Sequence, residues 1–181
     1  HRYSSAASDV YKRQPPAGNS LSKNIDSYQE AFDLLFKSVV HTSSLVIPGM
    51  QKNKWGRIIN VTSISVKEPL NYLVLSNSIR SAVVAWAKSL SVDLGPDGIT
   101  VNSILTGYFD TERIKELNKE KSKSLNISET EVLEKMKSLV PASRLGRPEE
   151  YGYLISFLSS DNAAYINGAS IPIDGGLLKS Y

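Results

Sequence analysis

Chemistry in this chain has few tools to work with. It contains no cysteine, and its two histidines are His1 and His41. That excludes a disulfide framework and a thiolate zinc site, and it leaves no set of imidazoles to hold a metal, so no metal site is expected. The polar residues best placed for chemistry end short apolar runs: Thr62-Ser63, Thr106-Gly107 and Asp174-Gly175-Gly176. Hydroxyls, one carboxylate and glycine-lined main chain are hydrogen-bonding tools. They hold an oxygen or let a ligand come close to the backbone.

Those three ends must be positioned by strands, and the strands by helices. Gly56 precedes Arg57-Ile58-Ile59-Asn60-Val61-Thr62, a short β-branched run that predicts a buried strand. Ile99 to Leu105 and Ala169 to Ile173 predict two more. Before the first strand, Ser27 with Glu30 reads as a capping box opening a helix to about Met50, with Ala31, Leu34, Leu35, Val39 and Leu45 at helical spacing and Pro48 near its end. A second helix is expected from about Leu73 to Leu94, with Ile79, Val83, Trp86, Ala87 and Leu90 as its stripe and Gly95-Pro96-Asp97-Gly98 as its stop. Residues 110–139 are charged and helical in pattern, with a fresh cap at Ser128 and Glu131, and Pro148-Glu149-Glu150 opens a further helix. The order helix, strand, helix, strand, helices, strand implies right-handed crossovers and a parallel sheet with helices on both faces. Ligands in such sheets bind beyond the carboxyl ends of the strands, where the three polar segments lie.

The 181 residues fit one domain with a real core, and their composition is 41% hydrophobic and 22% charged, as in ordinary globular proteins. No apolar run approaches the roughly 18 residues of a membrane helix. The formal net charge is +3, and the sequence pI near 9.0 invites a nucleic-acid reading. Residues 1–14 undercut it. Ser4 to Gln14, SSAASDVYKRQ, resembles the in-frame translation of a transposase adapter used in sequencing libraries. Residues 1–14 are therefore expected to be non-native and disordered. They hold Arg2, Lys12 and Arg13 against Asp9, so the remainder carries only +1 and no basic footprint for nucleic acid.

From Pro15 onward the chain resembles the short-chain dehydrogenase/reductase family. The marks are Gly56-Arg57-Ile58-Ile59-Asn60-Val61-Thr62-Ser63, Gly98-Ile99-Thr100-Val101-Asn102, Gly107-Tyr108-Phe109-Asp110-Thr111, Arg144-Leu145-Gly146-Arg147-Pro148-Glu149-Glu150, Phe157-Leu158-Ser159-Ser160 and Asp174-Gly175-Gly176, in the family's order and spacing. The nearest likeness is to its 3-oxoacyl-carrier-protein reductase-like branch. The resemblance implies a Rossmann-like, doubly wound parallel sheet, truncated because the family's opening strand and glycine-rich turn have no counterpart. Residues 15–181 would be the C-terminal part of a single such domain, carrying half a cofactor site and an unpaired sheet edge. On that expectation the 181-residue chain alone is poorly soluble and does not bind NAD(P)H.

The same resemblance implies site residues. Ser63 matches the family's strand-end serine that holds the reacting oxygen. With twelve residues between, Ser76 falls where the family has its catalytic tyrosine, and Arg80 where it has lysine. Leu35 falls on the position of a water-holding asparagine. Ser76 can donate a hydrogen bond but is a far weaker acid than a phenol, and Arg80 keeps the charge without lysine's ability to exchange a proton near neutrality. Tyr72, one turn before Ser76, is a substitute acid to consider, though only eight residues part it from Ser63. Lys67 and Glu68 follow Ser63 on the same loop and are either pocket residues or exposed loop charges. For the cofactor, the implied residues are Arg80 at the nicotinamide ribose, Gly107 beside the ring, the Phe109 backbone at the carboxamide and Thr111 at the pyrophosphate. Thr106 stands where the family usually has proline.

Two readings follow. In the first the protein is an NAD(P)-dependent oxidoreductase moving hydride between a nicotinamide, NAD or NADP, and a carbonyl or secondary alcohol, with non-standard catalytic residues. In the second it is a non-catalytic dinucleotide-binding protein of the same fold, favoured by Leu35, Ser76 and Arg80. Either way the resemblance implies a small-molecule carbonyl or alcohol substrate, a homo-oligomer (tetramer or dimer), a cytoplasmic location, and neither nucleic acid nor membrane as partner.

Overall fold

The computed structural model describes residues 15–180. The adapter-like segment 1–14, expected to be disordered, lies outside the described residues. Three parallel strands in the order β1-β2-β3 form the sheet: β1 (Gly56–Ser63), β2 (Ile99–Thr106) and β3 (Ser170–Ile173). The expected alternation is present around them. Helix α1 (Ile25–Phe32), a π-helical turn (Asp33–Lys37) and α2 (Ser38–Asn53) precede β1, and α3 (Val74–Leu94) joins β1 to β2. Helices α4 (Glu112–Leu125), α5 (Glu129–Leu139) and α6 (Pro148–Leu158) lie between β2 and β3.

Alternation of side chains along the strands sends apolar groups to both faces. On one, Ile58, Ile99 and Val101 pack against Ala87 and Leu94 of α3, with Ile47 and Met50 of α2 alongside. On the other, Ile59, Ile104 and Ile171 pack against Leu154 and Leu158 of α6. The middle strand β2 is buried along almost its whole length, as a parallel strand covered on both faces must be. Asn102 and Asn167 tie the approach to β3 onto β2: Asn102 Nδ2 donates to the Ile166 carbonyl at 2.8 Å, and Asn167 Oδ1 accepts from the Val101 amide at 2.9 Å. Among the described residues β1 has β2 as its only strand partner, so its outer edge is open.

Three local details differ from expectation. The cap of α1 is Asn24, whose side chain accepts from the Ser27 amide at 3.0 Å, so Ser27 sits inside the helix. Asn24 is itself a strong cap residue, and Ile25, its first helical neighbour, is exposed and so carries no periodic signal. The helix also runs on through Pro48 to Asn53, the proline sacrificing one amide near the C-terminal end. Finally, the continuous helix expected over this region is broken by the π turn at Asp33–Lys37. By contrast the capping box at Ser128 and Glu131 forms as expected, each side chain bonding the other's backbone.

Candidate functional site

The carboxyl ends of the strands gather the candidate residues. Ser63 closes β1 and is register partner to Thr106 at the end of β2. Its Oγ accepts a hydrogen bond from the Ser65 amide at 3.1 Å, fixing the start of the loop to α3. Ser76 lies in the first turn of α3, partly buried, and its Oγ accepts from Arg80 Nε at 3.1 Å, a contact one helical turn long. The same guanidinium donates through Nη1 to the main-chain carbonyl of Val61 in β1 at 3.0 Å. Arg80 therefore ties α3 to β1, a structural role the sequence did not suggest.

Leu35 sits in the π turn, which packs beside α3 through Phe36 against Trp86 at 6.3 Å between ring centres. Leucine stands at the centre of this turn, and Ser38 Oγ donates to the Leu34 carbonyl at 2.5 Å, supplying one carbonyl that the widened turn displaces. Tyr72 lies in the turn just before α3, 53% exposed, with its carbonyl accepting from the Gly18 amide at 2.7 Å. Burial pushes its phenol above the ordinary value. Tyr108, two residues past β2, is raised for the same reason first and by the nearness of Tyr72 second. Two phenols that stay protonated thus flank the ends of β1 and β2.

Around the end of β2 the site is made of main chain. A Cβ on Gly107 would stand 2.6 Å from Asp174 Cα, so only glycine lets the turn after β3 close over the end of β2. Phe109 is buried, and its ring meets Tyr151 edge-on at 5.2 Å. Gly146 runs parallel to it: the Gly146 amide donates to the Tyr108 carbonyl at 2.9 Å, and the Asp110 amide donates to the Gly146 carbonyl at 2.8 Å. In such a bridge the intervening residue directs its own N–H and C=O to the opposite side, away from Gly146. Thr111 caps α4, its Oγ1 accepting from the Ile114 amide at 3.4 Å. A cavity of about 160 Å³ opens here, lined among others by Tyr108, Phe109, Arg144, Gly146 and Asp174. Arg144 grips Glu150 through two nitrogens at 2.8 and 2.7 Å, and with the Arg147 amide it holds the Glu150 carboxyl at a pKa of about 2.

Lys67 is an exposed loop residue, but Glu68 is not a bare surface charge. Its Oε1 accepts from the amides of Lys179 at 2.7 Å and Ser180 at 2.8 Å, and these bonds hold its carboxyl below the usual range. Among the described residues no group of three or more His, Asp or Glu could hold a metal, and no helix is long and apolar enough to cross a membrane. Sequence reasoning missed the parts played by Glu68, Tyr108 and Gly146. For Gly146 and Tyr108, membership of the quoted motifs was the available signal. For Glu68 there was none, because its partners are backbone amides 111 and 112 residues away.

A family model described as enoyl-(acyl carrier protein) reductase matches residues 11–178. The chain is similar to the NADPH-dependent reductase BacG of Bacillus subtilis, 35% identical over 131 residues that cover 72% of this chain and 51% of that protein. It is similar also to the 3-oxoacyl-(acyl-carrier-protein) reductase FabG of Pseudomonas aeruginosa, 30% identical over 159 residues, 86% of this chain and 58% of that one. The chain thus spans about half the length of the curated relatives it matches. Among solved structures it superposes on YwfH, an NADPH-dependent reductase involved in bacilysin biosynthesis, with a TM-score of 0.88 and 28% identity over 93% of this chain and 65% of that one. The L-sorbose reductase of Gluconobacter frateurii, solved with NADPH and L-sorbose, gives a TM-score of 0.87 and 26% identity, with the same coverage.

Proposed function

The chain belongs to the short-chain dehydrogenase/reductase family, and from that premise we propose that it is the substrate half of an NAD(P)-dependent oxidoreductase acting on a carbonyl or secondary alcohol. The observation that carries this reading is the state of two hydroxyls. Ser63 Oγ already accepts from the Ser65 amide, and Ser76 Oγ from Arg80 Nε. A hydroxyl that accepts one bond still carries its own hydrogen, so each serine can donate. Donated to one carbonyl oxygen, those two hydrogens stabilise the negative charge that grows there as the carbon accepts hydride, and the Arg80 charge beside Ser76 strengthens its donor.

The nicotinamide, when bound, supplies the hydride. The residues present fit it on the main-chain side: Phe109 turns its N–H and C=O away from Gly146, as a carboxamide partner must, and Thr111 opens the 14-residue helix α4. Arg80, the expected ribose partner, also donates to Ser76 Oγ and to the Val61 carbonyl. In the reduction direction hydride adds to the carbonyl carbon and the carbonyl π electrons move to oxygen. Ser63 and Ser76 hold that oxygen, and it takes its proton from solvent. The product is the alcohol and the oxidised nicotinamide. Acyl carriers or sugars, substrates named for the relatives, are candidate classes here, and assembly as a homo-oligomer is part of the same proposal.

A second reading, a non-catalytic dinucleotide-binding protein, is favoured by one observation: no phenol stands at Ser76, and the hydroxyl there is engaged by Arg80. The discriminating experiment reads the gene through its upstream frame and looks for a glycine-rich turn. Its absence ends both readings. With it present, carbonyl-dependent NADPH oxidation is compared between the parent and Ser76→Tyr/Arg80→Lys. An active parent, made no better by the pair, supports the enzyme. A dead parent made active supports the binding protein.

A further inference from the structure

The tail after β3 is held by two carboxylates at four of its amides, and the Leu177 amide donates to the Asp174 carbonyl at 3.3 Å. Asp174 accepts from Gly176 at 2.9 Å through Oδ1 and from Leu178 at 2.8 Å through Oδ2. Glu68 then accepts from Lys179 and Ser180. These two carboxylates stand on different loops, one after β3 and one after β1. The strand order β1-β2-β3 places β2 between them. Adjacent strands are about 4.8 Å apart, so the tail must span about 10 Å, well within the reach of the residues from Asp174 to Lys179. It must therefore cross the carboxyl end of β2, where Asp174 already lies against Gly107. Leu177 and Leu178, both partly buried, make up the crossing.

We propose that Leu177–Ser180 roofs the crevice at the end of β2, with Glu68 as the latch that positions it, and that this roof sets the size of carbonyl compound admitted to Ser63 and Ser76. The last clause rests on the oxidoreductase reading. The first stands without it. Lys179 on the tail and Lys67 on the loop are the charges beside the latch, and Lys179 adds to the downward shift of the Glu68 carboxyl.

The test has two arms. In the protein read through its upstream frame, the amide resonances of Lys179 and Ser180 are followed from pH 7 downward, and the exposure of the Gly107 and Tyr108 amides to a soluble paramagnetic agent is measured. The expected result is a titration of both tail amides with a midpoint below the ordinary 4.5, abolished in Glu68→Gln, and at least a twofold rise in exposure of Gly107 and Tyr108 in Glu68→Gln and in a chain ending at Gly176. Tail amides that ignore the titration, or unchanged exposure, overturn the roof. In the protein read through its upstream frame, Glu68→Gln should raise KM for small carbonyl compounds several-fold with little change in kcat and narrow the difference between small and large substrates, while Glu68→Asp restores part of it. An equal loss on all substrates overturns the size role. A parent that oxidises no NADPH with any carbonyl compound overturns the oxidoreductase reading and the size role with it, and leaves the roof to the first arm.

Discussion

The end of β1 and the end of β2 solve the same problem with different materials. At β1 and the start of α3 the working groups are side chains: Ser63, whose Oγ accepts from the Ser65 amide, and Ser76, whose Oγ accepts from Arg80, the guanidinium also reaching the Val61 carbonyl. At β2 they are main chain, shaped by Gly107 against Asp174 and Gly146 against Phe109. Hydrogen bonds made by side chains can be rewired by a substitution. Glycine contacts cannot, because a Cβ on Gly107 would collide with the Asp174 backbone and one on Gly146 with the buried Phe109 ring.

The comparison breaks most visibly at the glycines. Gly107→Ala places a Cβ 2.6 Å from Asp174 Cα, backbone that cannot rotate away. Overpacking of this kind costs about 1–3 kcal/mol, and the upper end is expected, read as a lowered midpoint in urea unfolding. Arg80→Ala comes next: it removes the bonds to Ser76 Oγ and the Val61 carbonyl and should cost about 1 kcal/mol by the same measurement. Arg80→Lys should recover part of the loss but not both bonds, since ammonium lacks the fork. The smallest effect is at Glu150. Its folded pKa of about 2 lies below the ordinary 4.5, so its contribution is complete above pH 4.5 and fades as pH falls towards 2. Acid unfolding of Glu150→Gln should be slightly less steep over that window, its deficit against the parent being greatest near pH 7, gone at low pH and small throughout because the pair is solvent-screened. Unequal losses, large at the glycines and graded at the side chains, sharpen the comparison, and a Gly107→Ala protein as stable as the parent breaks it.

How far the sequence revealed this follows the same division. The strands, their order and the helices were legible because β-branched runs, Gly95–Gly98 and Pro148 are local signals. The position of Ser63 was legible because it ends a run. The π turn at Asp33–Lys37 was not, since its residues Leu34, Leu35 and Phe36 read as ordinary helix. The Arg80–Val61 and Glu68–Ser180 bonds were not, since one partner in each is a main-chain group with no sequence signature. Nor was the reason for Gly107, which lies in Asp174, 67 positions later in the chain.

Two donor hydroxyls, Ser63 at the end of β1 and Ser76 at the start of α3, are proposed to serve carbonyl reduction. This role is tested most directly by the rate of carbonyl-dependent NADPH oxidation in the protein read through its upstream frame, parent against Ser63→Ala. The account predicts an active parent and a loss of about a hundredfold in kcat on removing this donor. A Ser63→Ala protein that turns over at the parental rate contradicts it.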